Sequence, residues 1–137
     1  MFDLQTIKLL KTQEIGHPGG SINKILNCND DKFKGFGEIY ISSIKFNYIK
    51  AWKYHKKISL NLFVLTGDVK FVFFNGNEFK SIEISSKDMN KIFVPPKVWY
   101  GFKGENKQTS RILSLTNFIF DEKELERKDI NEISYDW

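Results

Sequence analysis

The chain has 137 residues, of which 41% are hydrophobic and 28% charged, with a formal net charge of +4. Such a length predicts one domain that buries a core without staples and excludes separate cofactor and substrate domains. With 13 Phe, 5 Tyr and 3 Trp, the composition also excludes a solvated, disordered chain.

No stretch approaches the roughly 18 apolar residues of a membrane helix, so no membrane association is expected. No signal peptide is read at the start, and the single Cys28 fits a reducing cytoplasm. All basic residues are lysines except Arg111 and Arg127, and they are scattered along the chain. Nucleic-acid grooves concentrate positive charge and use arginine forks, so no nucleic-acid partner is expected. A mild positive field suits an anionic small molecule such as a sugar nucleotide.

In chain order, residues 1–30, with His17-Pro18-Gly19-Gly20, are irregular and predict an edge strand plus a loop. Ile39, Ile41 and Ile44, with Tyr40 and Ser42 between them, give a period near two, the mark of a half-buried strand. Strands follow at Tyr48 to Trp52, Leu60 to Leu65 and Val69 to Phe74, with Gly67-Asp68 closing the second. Asn75-Gly76-Asn77 predicts a tight hairpin turn. Phe79, Ile82 and Ile84 continue the pattern, then Ile92 to Val94, stopped by Pro95-Pro96 because proline cannot donate to a ladder. Val98 to Phe102 and Arg111 to Ile119 complete the strands. Asp121 to Lys128 predicts a short helix, with Asp121 as N-cap and alternating charges for i to i+4 pairs. Short strands with a turn every eight to twelve residues predict an all-β antiparallel sandwich or barrel.

Two segments carry candidate chemistry: Ile49-Lys50-Ala51-Trp52-Lys53-Tyr54-His55, followed by Gly67, and Phe93-Val94-Pro95-Pro96-Lys97-Val98-Trp99-Tyr100-Gly101-Phe102. In this order they resemble the two motifs of the cupins. The resemblance implies a double-stranded β-helix, or jelly-roll barrel, over one domain. More narrowly, Gly37 to Ser42, Ile49 to Lys56, Gly67 to Val72 and the closing Asn131 to Trp137 resemble the RmlC-like branch, relatives of dTDP-4-dehydrorhamnose 3,5-epimerase. That resemblance covers about residues 14 to 137. It implies a nucleoside-diphosphate sugar as ligand, bacterial surface-polysaccharide synthesis, and a homodimer that exchanges an N-terminal strand.

The cupin metal positions fall on Lys53, His55, Asn61 and Tyr100. Only His55 is a good ligand, and a catalytic metal needs about three, so neither a metal nor another cofactor is expected. In the epimerase motif the histidine base falls on Lys53 and the phosphate-contacting arginine on Lys50. The tyrosine acid falls near Ser114. Both halves of the usual acid/base pair are therefore replaced. A rebuilt site is still open to the chain: desolvation lowers a lysine's pKa toward neutrality. Lys53 and His55, two apart on a strand, share a face. His55 is then the expected base, assisted by Lys53, with Tyr100 as acid or oxyanion donor. Trp52, Trp99 and Phe102 are expected to offer flat faces to the ligand, Lys50 and Lys103 to meet its diphosphate, and Asn61 to line the site. The alternative is a non-catalytic sugar-nucleotide-binding or partner protein that kept the fold and lost the reaction.

Overall fold

The computed structural model describes residues 2–137. Twelve strands run in chain order: β1 Lys8–Lys11, β2 Gln13–Ile15, β3 Ile22–Lys24, β4 Glu38–Ile44, β5 Ile49–His55, β6 Leu60–Thr66, β7 Asp68–Phe74, β8 Phe79–Ser85, β9 Asn90–Val94, β10 Trp99–Gly104, β11 Ser110–Thr116 and β12 Leu125–Arg127. Two five-stranded antiparallel sheets form a jelly roll, one ordered β1-β9-β6-β11-β4 and the other β12-β5-β10-β7-β8. β2 and β3 form a separate hairpin. The hairpin between β7 and β8 turns where the Asn-Gly signal predicts it. There Asn75 Oδ1 accepts from the Asn77 and Glu78 N–H groups, and Gly76 sits at φ 97°.

Leu60, Leu62 and Val64 of β6, Phe71 and Phe73 of β7, and Ile112 of β11 meet between the sheets in the main core. Asn61 and Phe63, on the opposite face of β6, are buried as well, beside Asn23, Ile25 and Leu26. Buried Lys91 reinforces that cover, donating at 2.7 Å to both the Ile25 carbonyl and the Asp30 carboxylate. A second core lies on the outer face of the β5-β10-β7 sheet. Trp52, Val72 and Ile133 pack there under Tyr135 and Trp137 of the C-terminal segment.

The helix expected over Asp121 to Lys128 is not formed. The segment makes a turn and then β12, which pairs with β5 through Leu125↔His55 and Arg127↔Lys53. The lone apolar Leu125 among charges is buried, and the tertiary pairing overrides helix propensity. The sole helical turn of this region is the 3-10 turn Ile130–Glu132.

Candidate functional site

β5 and β10 run side by side, and their register is broken between Tyr100 and Gly101. Tyr100 pairs with Lys53, whereas Gly101 pairs with Ala51, which leaves Trp52 as the extra residue of a β-bulge. Gly101 is needed there, since a Cβ would stand 2.6 Å from the Ala51 Cβ. The bulge changes the phase of the strand. Regular alternation would put residues 50 and 53 on opposite faces. Here Lys50 and Lys53 both line the barrel cavity while Trp52 points out, 1% exposed, into the second core.

The cavity has a volume of about 80 Å³. Its polar wall is made by Tyr40 and Ser42 of β4, Lys50 and Lys53 of β5, Tyr100 of β10 and Ser114 of β11; Phe71, Phe102 and Leu62 make the apolar wall. Lys50 Nζ donates to the Ser43 carbonyl at 2.7 Å, joining β5 to β4 across the open side of the barrel. Lys50 and Lys53 also line an adjoining cleft with Arg127, Lys128, Asp129 and Glu132, so a surface groove of mixed charge with an excess of cations lies beside the cavity.

His55 stands one layer deeper, 7% exposed, behind Tyr100. Its Nε2 lies 3.1 Å from the Tyr100 hydroxyl and its Nδ1 2.5 Å from Glu124 Oε1. Glu124, 4% exposed, uses its other oxygen to accept from the backbone N–H groups of Lys56, Lys57 and Ile58. Burial pushes the Glu124 carboxyl up, but the His55 bond and these backbone donors outweigh it and hold it below its ordinary value. A ring that carries one proton, on the Nδ1 facing the carboxylate, accepts from the tyrosine hydroxyl at Nε2. Glu124, His55 and Tyr100 thus form a hydrogen-bonded chain that ends in the cavity.

The phenol of Tyr100 is pushed up, first by burial and then by the neighbouring Tyr40 and Glu124, so it stays protonated at neutral pH. Burial also raises Tyr40, with the Ser114 hydroxyl pulling the other way. The Lys53 amine is held below the ordinary lysine value by burial and by the positive charges of Arg127 and Lys50. Lys53 is solvent-exposed through the cleft, which makes that desolvation partial.

Of the expected site residues, Lys50, Lys53, Tyr100 and Phe102 meet in the cavity, with His55 just behind. The others do not. Trp99 packs on Tyr54 with ring centroids 5.1 Å apart and lies under the Lys128 ammonium, on the outer face. Lys103 donates to the Trp137 carbonyl at 3.4 Å. Asn61 points away from the cavity and donates to the Lys32 carbonyl at 3.1 Å. Each sits at a position whose parity directs it outward, and Trp52 is the bulged residue. Glu124, Arg127 and Tyr40 were missed, and Ser114 was named only as the place of the replaced tyrosine acid. For Tyr40 the alternation of β4 was a sufficient signal, since Ile39 and Ile41 face the other way. Among the described residues no group of three or more His, Cys, Asp or Glu side chains is placed to hold a metal ion.

The same architecture occurs in solved proteins. A dTDP sugar isomerase from Desulfovibrio desulfuricans G20 superposes with a TM-score of 0.82 at 24% identity, covering 90% of this chain and 83% of that one. The fold is the RmlC-like cupin jelly roll. A sugar 3,4-ketoisomerase from Thermoanaerobacterium thermosaccharolyticum, solved in complex with TDP, superposes at 0.81 with 23% identity, covering 92% and 90%. A dTDP-4-dehydrorhamnose 3,5-epimerase from Elizabethkingia anophelis NUHP1 gives 0.82 at 16% identity, covering all of this chain and 84% of that one. No family model and no curated protein sequence matches the chain.

Proposed function

We propose that the chain binds a nucleoside-diphosphate keto sugar in the barrel cavity and acts on it as an epimerase or ketoisomerase of deoxysugar biosynthesis. The observation that carries this reading is the Glu124–His55–Tyr100 chain ending in a cavity beside Lys50, Lys53 and Arg127. Proton transfer beside a ketone needs a donor at the substrate and a base to exchange with it. Tyr100 is that donor, and His55, oriented by Glu124, takes up and returns its proton. His55 therefore acts as base through the tyrosine rather than by direct contact.

Lys50 and Arg127 at the mouth meet the diphosphate, and Phe102 lies against the apolar side of the sugar. Lys50 must release the Ser43 carbonyl as ligand enters. Solved neighbours bound to TDP or to TDP-4-keto-6-deoxyglucose support this ligand class. The neighbours' activities and the lone, exposed Cys28 are consistent with a cytoplasmic setting.

The working form in this reading is a homodimer. Ile39 and Ile41 of β4 are 50% and 57% exposed, and stand opposite Leu115 and Leu113 of β11 on the outer sheet face. The β2–β3 hairpin, with exposed Ile15 and Ile22, is the segment available for exchange with a second copy. Light scattering at micromolar concentration should give the mass of two chains; a monomer mass would overturn this part.

The function is tested with TDP-4-keto-6-deoxyglucose in deuterated water, followed by NMR. Deuterium should enter a carbon next to the ketone, and His55→Ala should abolish the exchange. Tight binding with no exchange would instead favour a non-catalytic binder, and exchange unaffected by His55→Ala would overturn the assigned roles.

A further inference from the structure

Lys53 differs from the other lysines at the mouth in what holds it. Lys50 is bound to the Ser43 carbonyl, and Lys128 lies over the Trp99 ring. Among the described residues, Lys53 Nζ has no hydrogen bond and no ion pair. The charged groups beside it are Lys50 on its own strand and Arg127 directly across on β12, and the cleft beyond them also carries Lys128, Asp129 and Glu132. On the other side its cross-strand partner is Tyr100, so amine and phenol project into the same cavity from adjacent positions. A lysine beside other cations, partly withdrawn from water and ion-paired to no carboxylate, has its neutral amine favoured. Such an amine is a nucleophile toward carbonyl carbon.

We infer that Lys53 forms a Schiff base with the ketone of the bound sugar, so that the proton shift proceeds through an enamine. This rests on the keto-sugar reading above. The nitrogen lone pair attacks the carbonyl carbon, and the amine proton moves to the former carbonyl oxygen to give a carbinolamine. Tyr100 then protonates the hydroxyl, which leaves as water, and the C=N⁺ iminium remains beside the Tyr100 phenolate. That phenolate removes the proton from the adjacent carbon, the C–H electrons form the C=C bond, and the C=N electrons return to nitrogen. Solvent water then protonates that carbon from its opposite face and regenerates the iminium, while the hydroxide left takes the Tyr100 proton. Addition of a second water to the iminium, with its proton passing to the Tyr100 phenolate, gives a carbinolamine whose C–N bond breaks to release the epimerised ketone and the lysine amine. Because burial makes the Tyr100 phenolate a strong base, it is suited to a carbon acid whose acidity the iminium has already raised.

The test uses the full chain with TDP-4-keto-6-deoxyglucose and sodium cyanoborohydride, which reduces an iminium and leaves the ketone. The expected result is a single covalent sugar-nucleotide adduct, mapped by peptide mass to Lys53 and absent with TDP alone. Lys53→Arg, which keeps the charge, should retain TDP binding within about threefold while adduct and deuterium exchange fall at least a hundredfold. Exchange without an adduct, or exchange surviving in Lys53→Arg, overturns the Schiff base and leaves the keto-sugar reading intact. If the wild type neither binds nor exchanges the keto sugar, that reading falls, and pyridoxal phosphate tests the amine alone. Reductive labelling at Lys53 ahead of every other lysine supports the nucleophile; labelling spread over surface lysines overturns it.

Discussion

The inner and outer faces of the β5-β10-β7 sheet carry the same residue types, lysines and aromatic rings, and put them to different uses. On the outer face the rings close on one another: Trp52 and Trp137 have centroids 5.3 Å apart, and Tyr135 and Trp137 5.2 Å. The lysines there are held in place, Lys103 by the Trp137 carbonyl and Lys128 over Trp99. On the inner face Lys53 has no partner among the described residues, and Tyr100 is tied only to the buried His55–Glu124 pair. The outer face is a packed layer in which the rings and lysines close on one another, with the buried Trp137 Nε1 left without a hydrogen-bond partner among the described residues. The inner face keeps an amine and a phenol available, the condition for binding and chemistry. Aromatic content alone does not separate the two uses, whereas an amine and a phenol set side by side in a cavity do.

Substitutions on the two faces should therefore fail in different assays. On the outer face, Trp52→Ala should cost about 3–5 kcal/mol of stability, as expected for a large side chain removed from a packed core. Urea unfolding measures it; a loss under 1 kcal/mol would mean that the C-terminal cover is not a true core. Behind the inner face, Glu124→Ala leaves His55 and the backbone donors of Lys56, Lys57 and Ile58 unpaired, and should cost about 3 kcal/mol.

Tyr100→Phe keeps the ring and should cost only about 1 kcal/mol of stability, while turnover falls by roughly 10² to 10⁴. Steady-state kinetics beside a melting curve would separate these effects.

The smallest expected effect is one of pH. Because the folded Glu124 carboxyl is held below its ordinary 4.5, its contribution to stability is complete above that value and is lost as pH falls through the folded value. Glu124→Gln should be less stable than wild type at pH 7, and the difference should shrink as pH drops below 4.5. A difference constant with pH would contradict the ionised, hydrogen-bonded carboxylate.

The strands β4 to β11 were legible because they are short, alternating and punctuated by Gly, Asn and Pro, whereas the jelly roll was legible only through the resemblance of two segments to the cupin motifs. His55 and Tyr100 were legible through motif order, although their relative depth was not, since depth depends on which ring fills the cavity. The bulge at Trp52 hid the outward aim of that ring, and Lys50 and Lys53 were placed together by the resemblance rather than by alternation. A one-residue slip inverts the side-chain faces of a strand, so period-two reading on one side of it cannot place both Lys50 and Lys53. Glu124 was illegible for another reason. Within Asp121 to Lys128 it looks like any solvated charge, and only the pairing of β12 on β5 carries it under His55. Long-range pairing of this kind leaves no local pattern.

Trp99 and Tyr100 are consecutive on β10 and face opposite ways, which makes them the most direct comparison. Deuterium exchange into TDP-4-keto-6-deoxyglucose should be measured for wild type, Tyr100→Phe and Trp99→Phe. The expected result is exchange reduced at least a hundredfold in Tyr100→Phe and within about threefold of wild type in Trp99→Phe. Undiminished exchange in Tyr100→Phe, or its loss in Trp99→Phe, would contradict the placing of the site on the inner face.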